Sequence, residues 1–156
     1  MSAATGEEID ILLCRAGGRL CALRLADVVE IMRPLAVEPV AKAPPCVDGL
    51  ALIRGRPCPV FNLGELLGGS SSPQRFVLIR VAGGAESHER RLALAVTSVE
   101  GVGRTDAEAL IEMPPLLSLA DAETVEAISI LDRQLVTVLR AAALISEEAW
   151  SVLEPT

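Results

Sequence analysis

The feature of this sequence that most limits its fold is an alternation of short apolar runs with turn residues, which recurs in each half of the chain. Shifted by 78 residues, segment 49–67 (GLALIRGRPCPVFNLGELL) overlays segment 127–145 (AISILDRQLVTVLRAAALI) without a gap, and apolar residues coincide at most positions. A shift of 71 residues likewise places segment 23–33 on segment 94–104. Such units are too long for solenoid repeats. The pattern predicts two related β subdomains packed together, each of about five strands closed into a barrel that protects its edges.

Four pairs of apolar runs predict the strands. They cover residues 9–15 with 20–25, 47–53 with 57–63, 76–82 with 91–97, and 125–131 with 135–139, and residues 99–103 add a short strand or turn. The first pair flanks Gly17 and Gly18, and the second flanks residues 54–56, so both predict β-hairpins. Because Pro57 and Pro59 cannot donate an amide hydrogen, that side of their strand is expected at an edge or a bulge.

Helical structure is predicted in four short segments. The spacing of Val28, Ile31 and Met32 places them on one face of a helix over residues 26–32, which ends before Pro34. Single helical turns are expected at residues 64–67 and 106–110, and a C-terminal helix is expected over residues 141–150. Between the first helix and the second hairpin, the proline-rich segment 34–45 is predicted to be extended and irregular.

Composition excludes several classes of protein. A chain of 156 residues with 51% hydrophobic content can bury a core, and it is too apolar to be disordered. Its net charge of -7 repels a phosphate backbone, and 2% aromatic content provides few platforms for base stacking, so no nucleic acid partner is expected. No uncharged apolar run approaches the ~20 residues that cross a bilayer, and the acidic start lacks the features of a signal peptide. We therefore expect a cytoplasmic protein without direct membrane insertion.

The sequence offers no recognisable catalytic or metal-binding motif. His88 is the only histidine and lies in a polar stretch, without the oriented partner that a catalytic base requires. The four cysteines form no C-x-x-C pair, and neither G-x-x-x-x-G-K-[ST] nor G-x-G-x-x-G occurs. Cys14 and Cys21 lie inside apolar runs, as small buried hydrophobes do. We predict no catalytic residue, no metal site and no cofactor, and hence a protein that is not an enzyme.

Two charged residues are candidates for a protein interface. Thirteen arginines accompany a single lysine, and arginine is the cation that protein interfaces favour. Arg54 lies at a hairpin tip before Gly55, which frees the backbone to turn and to hold the guanidinium outward. Glu30 projects from the predicted helix beside apolar neighbours. The alternatives are a solubilising turn arginine and a solvated helix carboxylate.

Segment 20–68 carries three motifs in a fixed order. They are V-x-E-I with Val28, Glu30 and Ile31, G-x-x-x-x-R-G with Gly49, Arg54 and Gly55, and P-V-x-x-L with Pro59, Val60 and Leu63. In this order they resemble the CheW family of bacterial chemotaxis coupling proteins. Segments 92–102 and 127–145 resemble the later motifs of that family, so the resemblance extends over residues 9–145. Four residues depart from the family pattern: Asn62, Thr97, Ala127 and Arg140.

The resemblance implies a mainly β fold of two five-stranded, SH3-like barrels, with short helices and a C-terminal helix. The domain layout that we expect is a flexible N-terminal tail over residues 1–8, a CheW-like domain over residues 9–147 and a C-terminal tail over residues 148–156. The subdomains are expected near residues 20–70 and 76–140, with exchanged terminal elements.

The resemblance also implies a function as an adaptor between the cytoplasmic tip of a methyl-accepting chemoreceptor and the regulatory domain of the CheA histidine kinase. The residues that it assigns to partner binding, without separating the partners, are Val28, Glu30, Gly49, Ile53, Arg54, Gly55 and Val60. Two alternatives stay open. One is a redox-responsive regulatory domain that uses Cys46 or Cys58, and the other is a CheW-like scaffold in a different array, such as one that governs surface motility.

Overall fold

The computed structural model describes residues 8–69, 72–81, 89–106, 125–131, 134–139, 144–145 and 147–153. The strands are β1 (Glu8–Ala16), β2 (Arg19–Arg24), β3 (Val28–Met32), β4 (Val47–Ile53), β5 (Arg56–Asn62), β6 (Arg75–Val81), β7 (Arg90–Val96), β8 (Ser98–Asp106), β9 (Val125–Leu131) and β10 (Gln134–Leu139). A 3-10 helix covers Leu25–Asp27, and the α-helices are α1 (Leu63–Leu66) and α2 (Glu147–Leu153). None of these helices has the length and apolar character needed to span a bilayer.

The strands form two five-stranded sheets, which confirms the predicted mainly β fold. The terminal sheet has the order β8-β1-β2-β10-β9, and the central sheet has the order β3-β6-β7-β5-β4. The sheets divide the chain differently from the expected subdomains at 20–70 and 76–140, because β2 belongs with the C-terminal strands and β6 and β7 belong with β3 to β5. Parallel pairing of β2 with β10 and of β5 with β7 produces this division.

Buried side chains form three clusters, and the alternation of side chains along each strand distributes them. The main cluster joins residues of both sheets, whereas the second cluster lies on the other face of the central sheet. In β7, Leu92 and Leu94 belong to the main cluster, and Ala93 and Ala95 belong to the second. Because both faces of this strand are covered, its sequence is apolar almost throughout. The third cluster occupies the other face of the terminal sheet and includes Ile11.

A contact between two glycines joins the sheets near the β1–β2 turn. A Cβ atom added at Gly69 would lie 2.3 Å from the Cα of Gly17, and one added at Gly17 would lie 2.9 Å from the carbonyl oxygen of Gly64. Beside this contact, Arg19 donates from Nε to the carbonyl oxygen of Leu67 at 3.1 Å. The backbones approach so closely that neither Gly17 nor Gly69 has room for a side chain.

The predicted helix over residues 26–32 is wrong beyond Asp27. Residues Val28–Met32 form strand β3, which pairs antiparallel with β6 and contains a β-bulge between Val28 and Glu30. The bulge turns Val28 toward the main cluster, whereas Met32 packs against the second cluster and Ile31 is 42% exposed. These three side chains therefore do not share one helical face. The bulge interrupts the alternation of side chains along β3, so that they point in different directions.

The C-terminal helix begins later and continues further than predicted. Residues 144–145 form a bend, and α2 runs from Glu147 to Leu153. Trp150 and Leu153 are each 3% exposed and belong to the main cluster. The packed part of the chain therefore extends past residue 147, where a tail was expected, because these large apolar side chains have a place in the core. The predicted turn over residues 106–110, apart from Asp106 in β8, and the loop around His88 lie outside the described residues.

Candidate interaction site at the β4–β5 hairpin

The β4–β5 hairpin ends in a two-residue turn formed by Arg54 and Gly55, one residue shorter than the predicted turn. Their φ angles are 53° and 78°, and Ile53 pairs with Arg56 directly below the turn. Positive φ at both central residues is the type I′ geometry that suits the twist of a hairpin. Gly55 adopts it without steric cost, whereas Arg54 adopts a conformation that residues with a Cβ rarely take.

Arg54 forms a two-pronged ion pair with Glu30. Its Nε donates to Oε2 of Glu30 at 3.1 Å, and its Nη2 donates to Oε1. This hydrogen bonding and the adjacent positive charge lower the pKa of Glu30 below its ordinary value. The two residues that the sequence singled out separately thus form one unit, which we name the Glu30–Arg54 clamp.

The clamp connects the two edges of the central sheet. Glu30 lies on β3, Arg54 follows β4, and these two strands are the outermost ones of that sheet. A second connection closes the same gap, since Glu38 and Leu50 exchange backbone hydrogen bonds of 2.8 and 2.9 Å. The sheet therefore curls so that its edges meet, as expected for a barrel.

Gly49 makes that closure possible. A Cβ atom at residue 49 would lie 2.1 Å from the carbonyl oxygen of Glu38, and the φ angle of Gly49 is 148°. Any side chain would separate the backbone of segment 34–45 from β4. The structure thus gives Gly49, which is buried, a steric reason to be glycine that is independent of any partner.

The predicted partner-binding residues differ widely in accessibility. Arg54 and Gly55 are exposed, and Val28 and Glu30 are half-buried. Ile53 and Val60, by contrast, are 3% and 1% exposed and belong to the second cluster. These two side chains support the hairpin from inside and do not reach its surface.

Sequence reasoning missed an apolar pair at the hairpin surface. Leu52 lies opposite Pro57, and Leu52 is 68% exposed. Alternation along β4 contains the information, because Ala51 and Ile53 point into the second cluster and Leu52 must then point to the other face. We name the exposed residues Leu52, Arg54, Gly55, Arg56 and Pro57 the hairpin tip.

Pro57 and Pro59, which lack an amide hydrogen, lie in the part of β5 that has a neighbouring strand on one side only. β5 pairs with β4 along its length, but its pairing with β7 begins only at Val60. Pro57 and Pro59 therefore precede the part of β5 that has a neighbour on both sides. The prediction of an unpaired edge on that side is confirmed for this half of the strand.

The cysteines are poorly suited to redox chemistry. Cys14 and Cys21 are fully buried, as predicted, and burial raises the pKa of Cys14 to about 12. Cys58, which the redox alternative requires to be accessible, is 3% exposed because it packs in the second cluster, and burial raises its pKa. Cys46 is half-buried, and its pKa is also raised by burial. A high pKa leaves little of the reactive thiolate at neutral pH, so the geometry disfavours the redox alternative. The part of the chain that the structure describes holds no group of three or more possible metal ligands.

The chain is similar to known proteins in both sequence and fold. A family model described as a CheW-like domain matches residues 10–149. The crystal structure of the scaffolding protein TtCheW from Thermoanaerobacter tengcongensis superposes with a TM-score of 0.79 and 20% sequence identity, covering 96% of this chain and 95% of that chain. At this identity the likeness shows a shared fold. A search of curated proteins found no significant match.

Proposed function

The chain belongs to the CheW-like domain family, and on that premise we propose that it is a non-catalytic adaptor between a chemoreceptor and a CheA-type histidine kinase. Its partners would be the cytoplasmic tip of the receptor and the regulatory domain of the kinase. The adaptor would reside in the cytoplasm and reach membrane-associated receptor arrays only through these partners.

The observation that carries this proposal is the extent of the family match. Residues 10–149 run from β1 into α2, so the match includes strands of both sheets and the end of the main cluster that joins them. Two sheets provide two separate outer surfaces. A single small chain can therefore hold two proteins at once.

The hairpin tip supports the placement of one partner contact. It combines an exposed apolar pair, Leu52 and Pro57, with an arginine whose guanidinium is held by Glu30. Interfaces concentrate their affinity in such arginine and apolar anchors. Because the clamp fixes the tip before binding, less conformational entropy is lost when a partner docks.

The mechanism is one of proximity. The adaptor transfers no group and breaks no bond. By binding receptor and kinase together, it raises the effective concentration of one near the other, so that a change in the receptor can shift the equilibrium of the kinase. Each contact can be individually weak, since an array multiplies it.

Binding assays with purified partners test the proposal. A receptor signalling tip and a CheA regulatory domain from the same genome are each titrated into the labelled adaptor. We expect dissociation constants in the micromolar range, about 1–30 μM, for both partners, as is common for modest signalling interfaces. Failure of both partners to bind at ~100 μM would contradict it. Binding of partners encoded with a motility system, and not of chemotaxis partners, would place the adaptor in that other array.

A further inference from the structure

The central sheet carries a row of arginines at one end of its buried inner face. Residues two apart on a strand share a face. Arg80 follows Phe76 and Leu78, Arg91 precedes Ala93 and Ala95, and Arg56 precedes Cys58 and Val60; the apolar members of all three series belong to the second cluster. The three arginines therefore continue the face of that cluster to its end, at the same end of the barrel as Arg54. We name Arg54, Arg56, Arg80 and Arg91 the arginine rim.

Two of these arginines lie directly opposite each other. Arg80 on β6 pairs in register with Arg91 on β7, an arrangement in which like charges repel. Glu89 lies between them, with Oε1 3.5 Å from Nε of Arg80 and Oε2 3.5 Å from Nη2 of Arg91. Within the described ranges, Glu89 is the carboxylate that pairs with both groups, and at this distance it only partly offsets two facing guanidinium groups.

In the part of the chain that the structure describes, the rim has more hydrogen-bond donors than nearby acceptors. The Nε of Arg91 is buried and has no hydrogen-bond partner among the described residues. Within the same described part of the chain, no carboxylate lies within ion-pair distance of Arg56. Among the described residues, the four guanidinium groups face two carboxylates, those of Glu30 and Glu89, whereas the whole chain has a net charge of -7. The rim is thus a local positive region on an acidic protein.

Electrostatic effects on neighbouring groups show that the rim residues converge. Arg91 acts together with Arg54 to lower the pKa of Glu30. Arg91 and Arg56 both oppose the effect of burial on the pKa of Cys58. Arginines from β5, β7 and the turn therefore influence one region at the end of the barrel.

We infer that the arginine rim binds an acidic segment of one of the two partner proteins through Asp or Glu carboxylates. This inference rests on the proposed adaptor function and adds the chemistry of one contact. Separate carboxylates along a peptide match guanidinium groups distributed over three strands and a turn, and the exposed groups of Arg56 and Arg80 can each hold one carboxylate with two hydrogen bonds. A compact polyanion would also meet Glu30 and Glu89, and the net charge of -7 disfavours approach to an anionic membrane.

Charge-removing variants test the inference in the binding assay. The rim variants are Arg56→Gln, Arg80→Gln and Arg91→Gln, and the control is Arg104→Gln. Arg104 is 69% exposed and pairs with Glu8 and Asp10 on the terminal sheet, away from the rim strands. We expect each rim variant to bind one of the two partners about three- to tenfold more weakly, and the control to differ from wild type by less than about twofold. Because Arg91 is the least exposed of the three, Arg56→Gln and Arg80→Gln keep the test valid if Arg91→Gln does not fold.

Salt dependence provides an independent measurement. Raising the NaCl concentration from 50 to 300 mM should weaken the affected complex of the wild type by about tenfold, and that of the rim variants by clearly less. Rim variants that match Arg104→Gln in affinity and in salt dependence would overturn the inference while leaving the adaptor function intact.

A probe of the free adaptor separates this inference from the proposed function. The Nε–Hε NMR signals of Arg80 and Arg91 are followed during titration with a synthetic Glu-rich peptide and, separately, with inorganic phosphate. We expect the peptide to shift both signals at a concentration at least about fivefold lower than phosphate does. This outcome supports the rim even if neither chemotaxis partner binds. Phosphate acting at the lower concentration, or no response to the peptide, would overturn it.

Discussion

The turns of the β1–β2 and β4–β5 hairpins have the same backbone shape, but the first is packed against another part of the chain and the second is exposed. The turn residues Gly17 and Gly18 have φ angles of 59° and 78°, and Arg54 and Gly55 have 53° and 78°. The first turn is pressed against the backbone of Gly64 and Gly69, whereas nothing lies within 4 Å of a Cβ atom built at Gly55. One hairpin thus joins the two sheets, and the other projects from its sheet into solvent.

The difference lies in the first turn residue. Glycine at residue 17 leaves room for another backbone, and its positive φ is free of strain. Arginine at residue 54 has the same φ with a steric cost, and its side chain reaches across the barrel opening to Glu30. A strained residue that provides a charged group at an exposed tip is typical of a site kept for binding.

The largest expected effect comes from filling the glycine contact. Gly17→Ala would place a Cβ atom 2.9 Å from the Gly64 oxygen and 3.1 Å from the Gly69 Cα, and backbone atoms cannot rotate away. Gly18→Ala is the matched control, because its φ is also positive and nothing lies within 4 Å of the new Cβ atom. Chemical denaturation should show a loss of about 1–2 kcal/mol for Gly18→Ala, and about 2 kcal/mol more for Gly17→Ala. Equal losses would show that the two sheets do not need this close contact.

The next effect concerns binding through the other hairpin. Glu30→Ala and Arg54→Ala should each weaken binding to one partner by about tenfold while the thermal unfolding midpoint stays within a few degrees of wild type. Because the two side chains act as one unit, the double variant should bind about as weakly as either single variant. Fully additive losses, measured by the same titrations, would mean that each residue contacts the partner independently.

These contrasts show which parts of the fold were predictable. Strand alternation and glycine at the turns located both hairpins, because those features depend on neighbouring residues. Strand β3 was mistaken for a helix because its bulge interrupts the alternation of apolar and polar residues that marks a regular strand. The division into sheets depends on β2 pairing with β10, which lies more than a hundred residues later, and no local pattern encodes that pairing.

The candidate site was predictable residue by residue but not as an arrangement. Glu30 and Arg54 were each singled out, yet their contact exists only because the edges of the central sheet meet. Ile53 and Val60 were assigned to partner binding, although alternation along their strands places their side chains inside. Arg80 and Arg91 were not singled out in the sequence, and only their register across β6 and β7 shows that they face each other.

A smaller expected effect tests whether the positive φ angle of Arg54 lowers the stability of the protein. Asparagine is favoured at the first position of a type I′ turn, so Arg54→Asn relieves the backbone while it removes the clamp. We expect a melting temperature equal to that of wild type or about 2–3 °C higher, together with weakened partner binding. Arg56→Asn is the control for the melting temperature, since residue 56 lies in a strand and asparagine relieves no backbone strain there. A lower melting temperature for Arg54→Asn would mean that the ion pair outweighs the strain.

The smallest expected effect is a pH dependence of the clamp. Hydrogen bonding by Arg54 lowers the pKa of Glu30 in the folded protein below its usual value of 4.5. A carboxylate with a depressed folded pKa stabilises the protein above its unfolded pKa, and this contribution disappears as the pH falls through the folded pKa. The difference in melting temperature between wild type and Glu30→Gln should therefore be constant above about pH 5.5 and should shrink below pH 4.5. The effect of Gly18→Ala should not change over this range, because the β1–β2 turn residues carry no ionisable side chain.

An NMR titration of the Glu30 carboxyl group measures its pKa directly. The midpoint should rise toward the usual value in Arg54→Asn, because the hydrogen bonds from Arg54 are lost. An unchanged midpoint would show that Arg54 does not hold Glu30 in solution.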